Sequence, residues 1–154
     1  MRRNDRILAL DYGDRHIGVA VSDPLGSFAM PLKTIIKKDP QTIKPAVAEI
    51  GQLIKEYEIG QIVVGHPVNM DDSIGPRAVL AADFSQRLRR NFKRIPILLW
   101  DERLSTQTAR EILSEQGIYG KDQKAVLDQV AASVILQDYM DWVKREKEKG
   151  AING

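Results

Sequence analysis

Arg6-Ile-Leu-Ala-Leu-Asp-Tyr-Gly13 is a short apolar run that ends in a carboxylate and then a glycine. Ile7 to Leu10 are branched or small, the composition of a strand buried on both faces. Asp11 stands where that strand runs out, and Gly13 permits a tight turn just beyond it. The next run, Ile17-Gly-Val-Ala-Val-Ser-Asp23, is strand-like and follows too closely for a helix to intervene. The two therefore read as an antiparallel hairpin with Asp11 closing its first strand. A carboxylate at that place either caps the turn or carries chemistry, and this stretch alone leaves both open.

Working outward, Phe28 to Lys38 with Pro31 inside it reads as a third strand at the sheet edge, because proline removes a ladder donor. Thr42 is a plausible helix N-cap. Ile43, Val47, Ile50, Ile54 and Tyr57 follow at helical spacing, and Gly60 suits the end of that helix. Gln61 to Gly65 is a second buried run and reads as a parallel strand. Pro76 opens a helix with Leu80, Phe84, Leu88 and Phe92 every fourth residue and Ala81 beside them, and its later part carries Arg87, Arg89, Arg90, Lys93 and Arg94. Ile95 to Trp100 is the third buried run. Ser105 or Thr106 then starts a helix closed by Gly117. A polar loop over Tyr119 to Lys124 leads to a last helix with Leu127, Val130, Ala131, Val134, Ile135, Tyr139, Trp142 and Val143 on one stripe. The tail from 144 to 154 is charged and then small, the composition of a chain end that frays. The expected fold is one α/β domain over 1–154. Its mixed five-stranded sheet joins a three-strand antiparallel meander to two parallel strands, with helices on both faces.

The chain has 154 residues, 43% hydrophobic and 29% charged, with net charge +2. That describes an ordinary globular domain whose charge permits a polyanionic partner without demanding one. It has no cysteine and two histidines, which excludes disulfides and thiolate metal sites and fits a reducing compartment. The opening residues lead into too few apolar ones for a signal-peptide core or a membrane span, so the expected location is the cytoplasm.

Parallel strands end on one sheet edge, where ligands bind in open α/β sheets. Asp11 and Glu102 would finish there. Asp128, early in the last helix, lies beside its apolar stripe. Carboxylate oxygens suit Mg²⁺ or Mn²⁺. Two such ions about 4 Å apart activate a water and stabilise the leaving oxygen in phosphodiester cleavage. Each acid also has a plainer use: Asp128 as a partner of the helix dipole, and Glu102 paired with Arg103 or facing solvent.

Four blocks carry a family resemblance. Asp11-Tyr-Gly-Asp-Arg-His-Ile-Gly-Val-Ala-Val-Ser-Asp23 resembles the opening motif of the YqgF, or RuvX, family. Gly65-His-Pro-Val-Asn-Met-Asp-Asp-Ser-Ile-Gly-Pro-Arg77 resembles its second block and Asp101-Glu-Arg-Leu-Ser-Thr106 its third. Lys124 to Ala132 with Ile135-Leu-Gln137 resembles its fourth. The blocks follow in order over nearly the whole chain. The resemblance implies an RNase H-like fold akin to Holliday junction resolvases. It also implies a metal-dependent nuclease that processes the 5′ end of pre-16S ribosomal RNA, with Asp11, Glu102 and Asp128 holding Mg²⁺ or Mn²⁺. Three positions depart from the family pattern: His16 where arginine is usual, Asp72 where glycine is usual, and His66 where an apolar residue is more typical.

A nuclease needs cations beside its acids. Arg103, Lys124, Arg77 and His16 are the candidates for substrate contact. The Arg87 to Arg94 run reads first as a solvated helix end. Trp100 and Trp142 read as core or half-buried before base-stacking. Besides RNA processing, the sequence admits resolution of branched DNA by a two-fold dimer, or a non-catalytic ribosome-assembly factor that binds RNA. An actin-like ATP-binding domain would need a second lobe, which this length does not supply. The partners expected are precursor RNA, branched DNA or a pre-ribosomal particle, with the chain a monomer or homodimer.

Overall fold

In the computed structural model the run from Arg6 is the middle strand of the sheet. Residues 5–69, 71–101, 115, 117 and 120–153 are described, with backbone alone for 120–129 and 151–153. Five strands, β1 (Arg6–Tyr12), β2 (His16–Ser22), β3 (Ala29–Ile36), β4 (Ile59–His66) and β5 (Ile97–Asp101), lie in the order β3-β2-β1-β4-β5. The first three form the expected antiparallel meander, and β4 and β5 join parallel to β1. Pro31 does sit on an edge strand, where the β2–β3 register shifts past a bulge.

The strands alternate cleanly between two cores. Leu8, Leu10, Val19, Ile62 and Val64 face α1 (Lys44–Glu56) and α2 (Pro76–Asn91). Ala9, Ala20 and Val63 face α3 (Gly120–Asn153). No helix among the described residues is long and apolar enough to cross a membrane.

The β1–β2 turn shows why a glycine is needed. The Gly13 N–H donates to the His16 carbonyl at 2.9 Å, and a Cβ on Gly13 would meet that same oxygen at 2.8 Å. At the other end of β1, the buried Ser22 hydroxyl accepts the Ile7 N–H at 2.8 Å, beside the register shift between Arg6 and Ile7. Removing that acceptor leaves an amide without its partner. Ser22→Ala is expected to lower stability by about 1–3 kcal/mol in urea unfolding, with the strand order intact.

Several boundaries differ from the sequence reading, each for a local reason. Thr42 does not cap α1. Its hydroxyl donates to Asp39 at 3.2 Å, the N-cap is Ile43, and Pro45 sits in the first turn with its φ already set. The same helix ends at Tyr57, and the left-handed residue after it is Glu58 (φ 53), while Gly60 already belongs to β4. Leu80 was expected in the core beside Phe84 and Leu88 but is 43% exposed, since α2 turns Ala78 and Ala81 to the sheet instead. The helix expected after Ser105 or Thr106 lies almost wholly outside the described residues, although Gly117 has φ 79, as a helix-closing glycine would. The polar stretch from 120 to 124 and the charged stretch after Val143 are both helical, within α3.

Candidate active site

Asp11 owes its place to parity and register. In β1 the pleat puts Ile7, Ala9 and Asp11 toward α3, and Leu8, Leu10 and Tyr12 toward α1 and α2. Leu10 is level with Val64 of β4, which is level with Leu99 of β5. One residue further on, Asp11 is the penultimate residue of β1, half-buried and paired with Gly18 of β2. The parallel strands β4 and β5 end at the same edge in the pair His66–Asp101. Glu102 and Arg103 follow Asp101 at once and lie outside the described residues.

The direction of α3 locates position 128. Near the helix's far end, Tyr139 accepts a hydrogen bond from Gln61 Nε2 at 2.7 Å, and Gln137 accepts one from the Ala29 N–H at 2.9 Å. Gln61 and Ala29 stand at the starts of β4 and β3, so α3 runs antiparallel to β1 and its N-terminal part reaches the edge that Asp11 closes. Ala132 packs in one cluster with Ala9 and Ala20. Position 128 lies one helical turn before Ala132, a rise of about 6 Å. Asp11 lies two strand residues beyond Ala9, a rise of about 6.6 Å. Position 128 therefore falls on the part of α3 that extends toward the edge near Asp11. The side chains of Asp128 and Lys124 lie outside the described residues. Among the described residues no three metal-ligating side chains cluster.

The cations divide. His16 opens β2 at this edge and is exposed, and Arg77 is exposed in the first turn of α2. The loop before α2 is tightly braced. Ser73 donates its N–H and hydroxyl to Asp71, holding that carboxyl below the usual carboxylate range. Asp72 within the loop has φ 70. A left-handed residue explains why glycine is the expected occupant, and why aspartate, among the more tolerant side chains there, serves instead.

Lys37 escaped the sequence reading. It is 4% exposed, and its Nζ donates to the Tyr12 hydroxyl at 2.9 Å while sitting 4.2 Å from the Tyr12 ring centroid. The Tyr12 ring stacks on Phe84 at 4.3 Å. The signal was available in the alternation of β3, which carries Lys37 to the same side as the buried Ile35. Trp100 and Trp142 meet around Tyr139, their ring centroids 5.7 Å apart, so the half-buried reading holds for Trp100 while Trp142 is exposed along one face.

A central strand closed by a carboxylate, in a mixed sheet of this order with helices on both faces, defines the RNase H-like class. Solved structures agree on the fold. The T. thermophilus RuvC in complex with Holliday junction substrate aligns with a TM-score of 0.50 at 13% identity, over 84% of this chain and 90% of that one. The large terminase nuclease from thermophilic phage G20c aligns at 0.51 and 14%, over 88% and 82%. The family model described as "RuvX: Holliday junction resolvase" matches residues 5–142, and the chain belongs to that family. Two relatives, both described as "Putative pre-16S rRNA nuclease", come from Lachnospira eligens and Halothermothrix orenii. The first is 46% identical over 136 residues, 88% of this chain and 96% of its own. The second is 47% identical over 137 residues, 89% and 95%.

Proposed function

We propose that the chain is a cytoplasmic, divalent-metal-dependent endonuclease that hydrolyses a phosphodiester bond in the 5′ flank of pre-16S ribosomal RNA. The reading is supported by Asp11 near the end of the central strand, on the edge that the N-terminal part of α3 reaches and where β5 ends one residue before Glu102. The relatives' descriptions supply the RNA.

Asp11, Glu102 and Asp128 form an all-oxygen donor set, which suits Mg²⁺ or Mn²⁺, two ions in the full site, in a chain without cysteine. An ion bound by these three carboxylates would supply an activated water and offset charge on the leaving oxygen. The protein's own part is positional. Strand β1 fixes Asp11 through its ladder with β2 and β4, and α3 carries Asp128 on a rigid helix. Arg103, Lys124, Arg77 and His16 hold the phosphates on either side of the cut. The exposed His16 imidazole offers a ring N–H as a hydrogen-bond donor.

A second substrate is favoured by the family model's own description, Holliday junction resolvase. One experiment separates them. Purified protein with Mn²⁺ or Mg²⁺ is given pre-16S RNA and a four-way DNA junction side by side, with EDTA controls. Cleavage of the RNA, abolished by EDTA, is the expected result. Preferential cutting of the junction by a dimer would move the substrate to branched DNA and leave the chemistry unchanged. RNA binding without cleavage of either substrate would overturn the enzyme reading in favour of an assembly factor.

A further inference from the structure

Five cations crowd the end of α2 and the turn after it, and the structure gives them different work. Arg89 is engaged internally: its Nε and Nη2 donate to the Ile97 carbonyl at 3.1 and 2.9 Å, tying α2 to β5. Lys93 and Arg94 are exposed in the turn before β5. Arg87 and Arg90 border a cleft of about 360 Å³ between the start of α1 and the outer side of α2. Among the described residues neither guanidinium has a carboxylate partner. Two unpaired arginines on one cleft form a site for an anion.

The rest of the lining narrows the ligand. Ile43 and Leu80 give the cleft an apolar wall, and Gln41 and Asp83 add an amide and a carboxylate. An exposed leucine alone needs no explanation. Here Leu80 shares a hollow with two unpaired cations, and that combination suits a group with a flat apolar body and attached phosphates. The volume lies in the range of small-ligand sites, roughly 300–1,000 Å³, and too small for a double helix. Tyr12, the residue after Asp11, completes the wall with Pro40 and Phe84; its ring contacts the Lys37 ammonium and stacks on Phe84. With its hydroxyl bonded to Lys37 and its ring stacked on Phe84, Tyr12 is a fixed wall. Tyr12 lies on the face of β1 opposite Asp11, so the cleft reaches the sheet edge beside Asp11 and runs from there between α1 and α2.

We propose that this cleft holds one unstacked nucleotide of single-stranded RNA flanking the bond to be cut. Its base lies against Ile43 and Leu80, and its phosphates lie on Arg87 and Arg90. The inference rests on the endonuclease reading and extends it: the strand bends over the end of β1 and is gripped on both sides of the sheet. Recognition of splayed single-stranded bases is the usual route by which proteins read RNA.

The test is fluorescence anisotropy with a labelled single-stranded RNA from the pre-16S 5′ flank, in EDTA, over a series of salt concentrations. R87Q/R90Q is expected to bind roughly tenfold more weakly. Its log–log salt slope should be shallower by about 1.4, two phosphate contacts at about 0.7 each. R87K/R90K should recover the slope. K144Q/K147Q removes equal charge from the far end of α3 and should bind as the wild type does. Thermal melts confirm that each variant is folded. Unchanged affinity and slope in R87Q/R90Q overturn the inference, and so does an equal loss in K144Q/K147Q, which marks a bulk-charge effect. If wild-type cleavage of the RNA persists in either case, the cleft alone is wrong. If the wild type neither binds nor cuts the RNA, the endonuclease reading falls with it.

Discussion

Asp11→Asn is expected to lower kcat/KM for RNA cleavage by roughly 10³-fold or more, about 4 kcal/mol of lost transition-state stabilisation at 1.36 kcal/mol per decade. The substitution is nearly isosteric, and the pairing of residue 11 with Gly18 is a backbone pairing, so β1 keeps its register. What changes is charge and donor strength at the one described acid of the proposed set. An amide oxygen is a weaker ligand for a hard divalent ion than a carboxylate. Mn²⁺ affinity, read by calorimetry, should therefore fall along with the rate. The melting temperature should stay level, because the substitution is nearly isosteric and the backbone pairing of residue 11 is kept. Cleavage within tenfold of wild type, with Mn²⁺ binding unchanged, would sink the assignment of Asp11 even if the protein proved to be a nuclease by another route.

Asp11 was legible in the sequence because strand burial and turn chemistry are both local signals. Four apolar residues, an acid and a glycine mark a strand end, and the 2.8 Å approach of the His16 oxygen to a would-be Cβ at Gly13 shows that the glycine was a genuine constraint. The parallel runs at Gln61 and Ile97 were legible for the same reason. What was lost was lost where a tertiary neighbour decided. Helical spacing put Leu80 with Phe84 and Leu88, but the face of α2 that meets the sheet is built from Ala78, Ala81, Phe84, Ser85 and Leu88. Small residues carry little hydrophobic signal, so Leu80 was counted with Phe84, Leu88 and Phe92, which do pack inward, while Ala78 takes the place on the sheet. Thr42 had the right side chain for a cap, and Asp39 took it. Lys37 looked like a surface lysine because its partners, an aromatic ring and hydroxyl 25 residues away, cannot be seen in its neighbourhood. For Asp128 the sequence offered only its place on a helical stripe. Its place toward the edge beside Asp11 depends on the direction of α3 and on how closely that helix lies on the sheet.

That closeness is itself testable. Ala9, Ala20 and Ala132 are each fully buried where α3 crosses the strands, so three methyl groups set the gap between helix and sheet. Ala132→Leu inserts extra carbon atoms at that crossing. Cores at crystal-like density accommodate them by moving backbone or forcing poor rotamers, at about 1–3 kcal/mol. A helix displaced at 132 carries position 128, one turn away, with it. Misplacement of a reacting group by about 1 Å can lower a rate about 10²-fold, and that is the loss expected in kcat. Leu136→Ala is the contrasting variant. Leu136 is fully buried in the same cluster, and its truncation leaves a cavity costing about 2–5 kcal/mol without pushing α3 outward. Assayed at a temperature where both remain folded, Leu136→Ala should be the less stable protein and the better enzyme. If instead activity follows the melting temperature across the pair, or Ala132→Leu cuts at the wild-type rate, then the seating of α3 does not set the site, and Asp128 loses its place in it.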